Sequence, residues 1–105
     1  MAVILQVDFP SQGPFGEEMS QMYQALAESI NQEPGLIWKI WTEHRDTQHA
    51  GGIYLFDHEQ HAQQYLKMHT ERLEHLGIQN IRGQIFHVNP ALCQINHADF
   101  VNHDE

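Results

Sequence analysis

The sequence predicts an α+β sandwich in which a four-stranded antiparallel sheet carries two helices on one face. Three observations lead there. The 105 residues leave room for one core, so residues 1–105 read as a single domain. The apolar pattern changes between a period of two and a period near 3.6 in the order β-α-β-β-α-β. Most of those changes fall beside proline or glycine, which break both kinds of element.

From Ala2 to Phe9, Val3, Leu5, Val7 and Phe9 alternate with Gln6 and Asp8, the signature of a strand with one buried face. Pro10 to Pro14 ends it. Phe15, Met19, Met22, Tyr23, Leu26, Ala27 and Ile30 then recur every three or four residues, predicting one amphipathic helix with Glu17 and Glu18 at its positive end. Pro34-Gly35 stops this helix. Leu36 to His44 is aromatic and β-branched, hence a strand, with Trp38, Ile40 and Thr42 on one face and Ile37, Lys39, Trp41 and Glu43 on the other. A polar connection, Arg45 to Ala50, leads into the strand Gly51 to Phe56. Asp57, with Gln60 three residues on, predicts a capping box for a second helix. The stripe of that helix is Ala62, Tyr65, Leu66, His69, Leu73 and Leu76, and Gly77 is its stop. Ile78 to Val88 predicts the last strand, and residues 91–105 a tail that begins apolar and turns acidic. The arrangement is ferredoxin-like.

Composition excludes several functions. Five Lys and Arg against 14 Asp and Glu leave a formal charge of −9, which argues against gripping a nucleic-acid backbone or an anionic membrane. The single cysteine, Cys93, allows no intrachain disulfide and no cysteine-only metal site. No apolar run reaches the roughly 18 residues of a membrane span, so a soluble cytoplasmic protein is expected. Gly13-Pro14-Phe15-Gly16 lacks the spacing of a phosphate loop, and there is neither a nucleophile elbow nor a zinc helix. Bulky apolar groups on both faces of Leu36 to His44 call for cover on both. Two helices cover one face, so a homodimer joined through its sheet faces is expected, with neither nucleic acid nor membrane as a partner.

Of the nine histidines, His58 and His61 with Glu59 have a spacing open to a metal, but an exposed polar face is the favoured reading. His69 is different because it lies within an apolar stripe. It is either a hydrogen-bonded core residue or a base or axial haem ligand at the floor of a cavity. Phe9, Tyr23, Trp38, Tyr54, Phe56 and Tyr65 share the space between sheet and helices if the alternation holds, and such a set suits either a plain core or a flat aromatic ligand. Arg72 and Arg82 are scarce cations able to polarise an oxygen if either reaches that space, and surface ion pairs otherwise.

Taken together, Gly13-Pro14-Phe15-Gly16, Ala27 to Gly35, Trp38-Lys39-x-Trp41-Thr42-Glu43, Ala50 to Phe56, His69-Thr70-x-Arg72-Leu73, Val88-Asn89 and Gln94-Ile95-Asn96 resemble the YdhR mono-oxygenase family. The resemblance covers nearly the whole chain. It implies a ferredoxin-like homodimer, the dimeric α/β barrel, and oxygenation of aromatic compounds with no flavin, haem or metal. In that expectation Trp38 and Tyr54 position the ligand, with Trp41 on the opposite face of the strand the other candidate for the tryptophan; His69 is the base and Arg72 stabilises the anion. Phe9, Tyr23, Phe56 and Tyr65 complete the lining. The competing expectations are a haem-binding or haem-degrading protein with His69 as axial ligand, and a binding module without chemistry.

Overall fold

The computed structural model describes residues 2–98. Along them run β1 (Val3–Pro10), α1 (Gly16–Met22), α2 (Gln24–Ile30), β2 (Leu36–His44), β3 (His49–Phe56), α3 (Glu59–His75), β4 (Arg82–His87) and α4 (Pro90–Ile95). The strands form one sheet in the order β2-β3-β1-β4, every pair antiparallel. This is the ferredoxin-like arrangement, with β1 and β3 central. Among the described residues no helix is long and apolar enough to cross a membrane.

Alternation divides the sheet into two faces. On the inner face Val3, Leu5 and Val7 of β1 and Tyr54 and Phe56 of β3 meet Ile30 of α2 and Ala62, Tyr65 and Leu73 of α3, all fully or nearly fully buried. On the outer face Ala2 and Leu55 are buried with Ile4, Ile37, Trp38, Val88 and Cys93 packed around them. The register aligns Trp38, Leu55, Ile4 and Phe86 across all four strands, a continuous apolar band.

Five sequence expectations are corrected. The first helix is two, broken at Tyr23 (φ −105°, ψ 13°), which turns α2 relative to α1. The break leaves Met22 62% exposed although its spacing matched the stripe. The capping box does not form. His58 occupies the N-cap with no side-chain bond to the helix N–H groups, while the Asp57 carboxylate accepts from His61 Nδ1 at 2.7 Å. The last strand begins at Arg82 rather than Ile78. Gly77 (φ 86°) ends α3, Asn80 also takes a positive φ, and Ile78 and Ile81 pack on the core from the loop between. Part of the expected tail is ordered as α4, capped by Asn89, whose Oδ1 accepts from Leu92 N at 3.1 Å. Its Cys93 packs into the outer cluster, so the chain itself covers some of the face that had appeared bare. The acidic end of the tail, with His103, lies outside the described residues.

The fifth correction sets the site. In β2, Leu36 pairs with Phe56 but Trp38 pairs with Leu55, so Ile37 is an inserted bulge residue. Ile37 and Trp38 therefore both join the outer cluster, whereas Leu36 and Trp41 pack on the inner core and Lys39 turns inward with Trp41.

Candidate active site

Between the inner face and the helices lies a cavity of about 670 Å³. Its floor is Val7 and Phe9 of β1, Lys39 and Trp41 of β2, and Gly52 and Tyr54 of β3. Met19, Tyr23 and Leu26 wall one side, and His69, Arg72 and Leu73 of α3 the other. The mouth opens between the loop after β1 and the end of α3, where Met22 and Leu76 are each 62% exposed. Large apolar side chains left in solvent at the rim of a cavity suit the entry of an apolar ligand.

The polar groups form one connected set. His69 and Arg72 are three residues apart on α3 and Tyr65 is seven from Arg72, so all three share a helix face. Arg72 Nη2 and Nε lie 2.9 and 3.3 Å from His69 Nδ1, and Nη2 donates to the Tyr65 hydroxyl at 3.4 Å. Tyr65 in turn donates to the Tyr54 hydroxyl at 3.3 Å. A guanidinium can only donate, so His69 Nδ1 is the acceptor and the ring proton sits on Nε2. Burial, then the charges of Arg72 and Lys39, holds the His69 pKa down at about 3. His69 is thus a neutral imidazole that anchors Arg72.

That arrangement gives His69 a role other than the one expected. Protonating Nδ1 would displace Arg72 and place two cations side by side, so His69 is a poor base. The imposed tautomer also leaves Nε2 without a free lone pair for haem iron. Burial, followed by Tyr65, pushes the Tyr54 phenol far up, and burial raises Tyr65 as well, so both stay protonated.

Phe9, Tyr23 and Tyr54 line the cavity, as do His69 and Arg72. Phe56 and Tyr65 face the same way but form the layer behind: their rings lie 5.5 Å apart, and Tyr54 and Tyr65 4.9 Å. Trp38 does not reach the cavity, because the bulge leaves it on the outer face. Arg82 pairs with Asp8 at 3.0 Å on the surface, away from the site. His58 and His61 stack on each other at 5.8 Å, and no group of residues suited to holding a metal is found among the described residues.

Of the two candidate tryptophans it is Trp41 that lines the cavity, beside Lys39, a residue for which the sequence suggested no role. Trp41 stacks on Tyr23 at 6.1 Å. Lys39 lays its Nζ 3.4 Å from the centre of the Trp41 ring and 4.8 Å from that of Tyr54. Burial, then the Arg72 charge, lowers the Lys39 pKa to about 7. A lone lysine inside the apolar run Leu36 to Trp41 was the signal available for it.

Fold and cavity together define a small ferredoxin-like domain with an aromatic, cation-bearing cavity between sheet and helices. The family model described as "Putative mono-oxygenase ydhR" matches residues 4–99, and the chain belongs to that family. Among solved structures it resembles a "putative antibiotic biosynthesis monooxygenase" from Deinococcus radiodurans, with a TM-score of 0.60 and 15% identity over 83% of this chain and 92% of the other. At that identity the likeness is one of fold. No curated protein matches the chain significantly.

Proposed function

We propose that the protein is a cytoplasmic mono-oxygenase for small aromatic compounds (phenols, quinols or anthrones) that uses no cofactor. The observation that carries this reading is a fixed guanidinium, Arg72, at the wall of an aromatic cavity in a member of a mono-oxygenase family. Such a cavity supplies what the chemistry requires. The substrate, once deprotonated, gives an electron to O₂, and the resulting pair of radicals combines into a peroxide anion at carbon. Taking up a proton and losing water leaves a carbonyl, so an anthrone CH₂ and O₂ become a quinone C=O and H₂O. The substrate supplies all four electrons. Arg72 stabilises the oxyanions before and after the oxygen step, held in place by His69 and Tyr65. Trp41 and Tyr54 offer ring faces to the substrate.

A second copy completes the outer face in this reading. The band Trp38–Leu55–Ile4–Phe86 ends on a 41% exposed Phe86 at the β4 edge, and at the β2 edge Ile40, two residues from Trp38, is 48% exposed. A symmetric sheet-to-sheet dimer buries both. A sedimentation mass of one chain at micromolar concentration overturns the dimer.

The activity is tested by oxygen uptake on a panel of anthrones and quinols, with the quinone product measured alongside. Arg72→Met is expected to lower kcat/KM by about 100-fold or more, the effect of removing one oxyanion donor. Tight binding of the panel without oxygen uptake refutes the oxygenase and leaves a binding module.

A further inference from the structure

We propose that Lys39 is the proton acceptor of the cavity and that its ligands are acidic aromatics, phenols or enolisable ketones, held as oxyanions between Lys39 and Arg72. The inference rests on the cavity being the site of the proposed reaction, and it names both the substrate class and a catalytic residue.

Charge placement is the first support. A chain with 14 acidic residues and five Lys and Arg sets two of those five in one cavity. Among the described residues neither has a carboxylate partner, although Arg82 and three histidines do. An apolar cavity with two uncompensated cations favours an anion.

Geometry is the second. The Lys39 amine rests between the faces of Trp41 and Tyr54, where a flat ligand would also stack. Its chain crosses Gly52, where a Cβ would come within 2.7 Å of Lys39 Cε. The strand is bare of side chain where the lysine passes.

Elimination is the third. The groups facing Lys39 are Trp41 from its own strand, Tyr54 from β3, and Arg72 and His69 from α3, with Tyr23 beyond Trp41. His69 Nδ1 already accepts from Arg72, Tyr54 holds its proton, and Arg72 cannot accept one. Lys39, brought to about 7, is the member of this set that exchanges a proton near neutrality. In the step, the Nζ lone pair takes the phenolic or enolic proton. The O–H bond breaks, an N–H bond forms, and an ammonium faces the new oxyanion.

Two probes test this without reference to turnover. The first is 4-nitrophenol, whose phenolate absorbs at longer wavelength than the phenol. Bound to the unaltered protein, its apparent pKa is expected to fall by at least one unit, about tenfold more phenolate at a given pH. Lys39→Met removes the shift and Lys39→Arg keeps it. The second is 1-naphthalenesulfonate, anionic throughout. Its affinity is expected to fall about tenfold between pH 6 and 8 as Lys39 loses its charge, to stay level in Lys39→Arg, and to be weak at both pH values in Lys39→Met. Melting curves confirm that the variants are folded, and Lys39→Arg serves if Lys39→Met is not. Failure of either probe to bind, or equal behaviour in all three proteins, overturns the assignment. Phenolate stabilisation without oxygen uptake sinks the oxygenase but not Lys39. Oxygen uptake unaltered in Lys39→Met sinks Lys39 alone.

Discussion

The two faces of the sheet are built from the same four strands and differ in almost everything else. The outer face is crossed by an apolar band, Trp38, Leu55, Ile4 and Phe86, and α4 packs Cys93 against it. The inner face carries Lys39, His69, Arg72 and the Tyr54–Tyr65 hydroxyl pair beneath helices that do not fill the space. Close packing is the default for a protein interior, and a core without polar groups is the easier one to satisfy. The contrast teaches that the inner face has given up some stability to hold charge beside an opening, whereas the outer face has not. Titration and substitution should therefore act oppositely on the two.

The largest effect expected is acid destabilisation through the inner face. In the unfolded chain His69 titrates near 6.5, and in the fold it is held at about 3. Between those values the unfolded state binds more protons, so stability falls as pH drops from 6.5 towards 3, by roughly 3–5 kcal/mol in all. Urea melts at pH 7 and pH 4 measure it, and a His69→Leu variant should lose most of that slope. An unchanged slope in the variant would place the acid sensitivity elsewhere.

Next comes the pair of tryptophans. Trp38→Ala should cost about 2 kcal/mol of stability and leave the affinity for cavity ligands within a factor of two, since it empties part of the outer cluster. Trp41→Ala should do the reverse, weakening aromatic ligands about tenfold through lost stacking with a smaller loss of stability. Thermal melts paired with ligand titrations distinguish them, and equal effects on both readouts would erase the distinction between the faces.

The smallest effect is a gain. Lys39 titrates near 10.5 when unfolded and about 7 when folded, so its burial costs stability in full below pH 7 and progressively less up to 10.5. Its contacts with Trp41 and Tyr54 return part of that cost. Lys39→Met should therefore be more stable than the natural chain at pH 6 by about 1 kcal/mol. The advantage should shrink towards pH 10, as denaturant melts at the two pH values would show.

Much of the fold was legible because it rests on local periodicity. The alternation of Val3, Leu5, Val7 and Phe9 and the stripe from Ala62 to Leu73 mark their buried faces from spacing alone. His69 stood out for the same reason, as a polar residue in that stripe. The choice between Trp38 and Trp41 was not legible, because it depends on how β2 pairs with β3. An inserted residue is a property of two strands, and the sequence of one does not reveal it. The partnership of His69 with Arg72 was half visible in their spacing, but the direction of the hydrogen bond, and with it the loss of the base role, needed the side chains in place. Phe56 and Tyr65 show a further limit: periodicity tells which face a ring is on but not how deep it lies.

The bulge at Ile37 also determines where this protein can change length. Removing Ile37 would leave Leu36 inward and Trp38 outward, in ordinary alternation, with every later residue of β2 on its present side. Removing any residue from Trp38 to Glu43 would instead send part of the strand through the sheet, trading cavity residues for outer ones. Deletions and insertions among relatives should accordingly collect at the Gly35–Ile37 end of β2, a seam at which the strand can lengthen or shorten while the chemistry beyond it keeps its place.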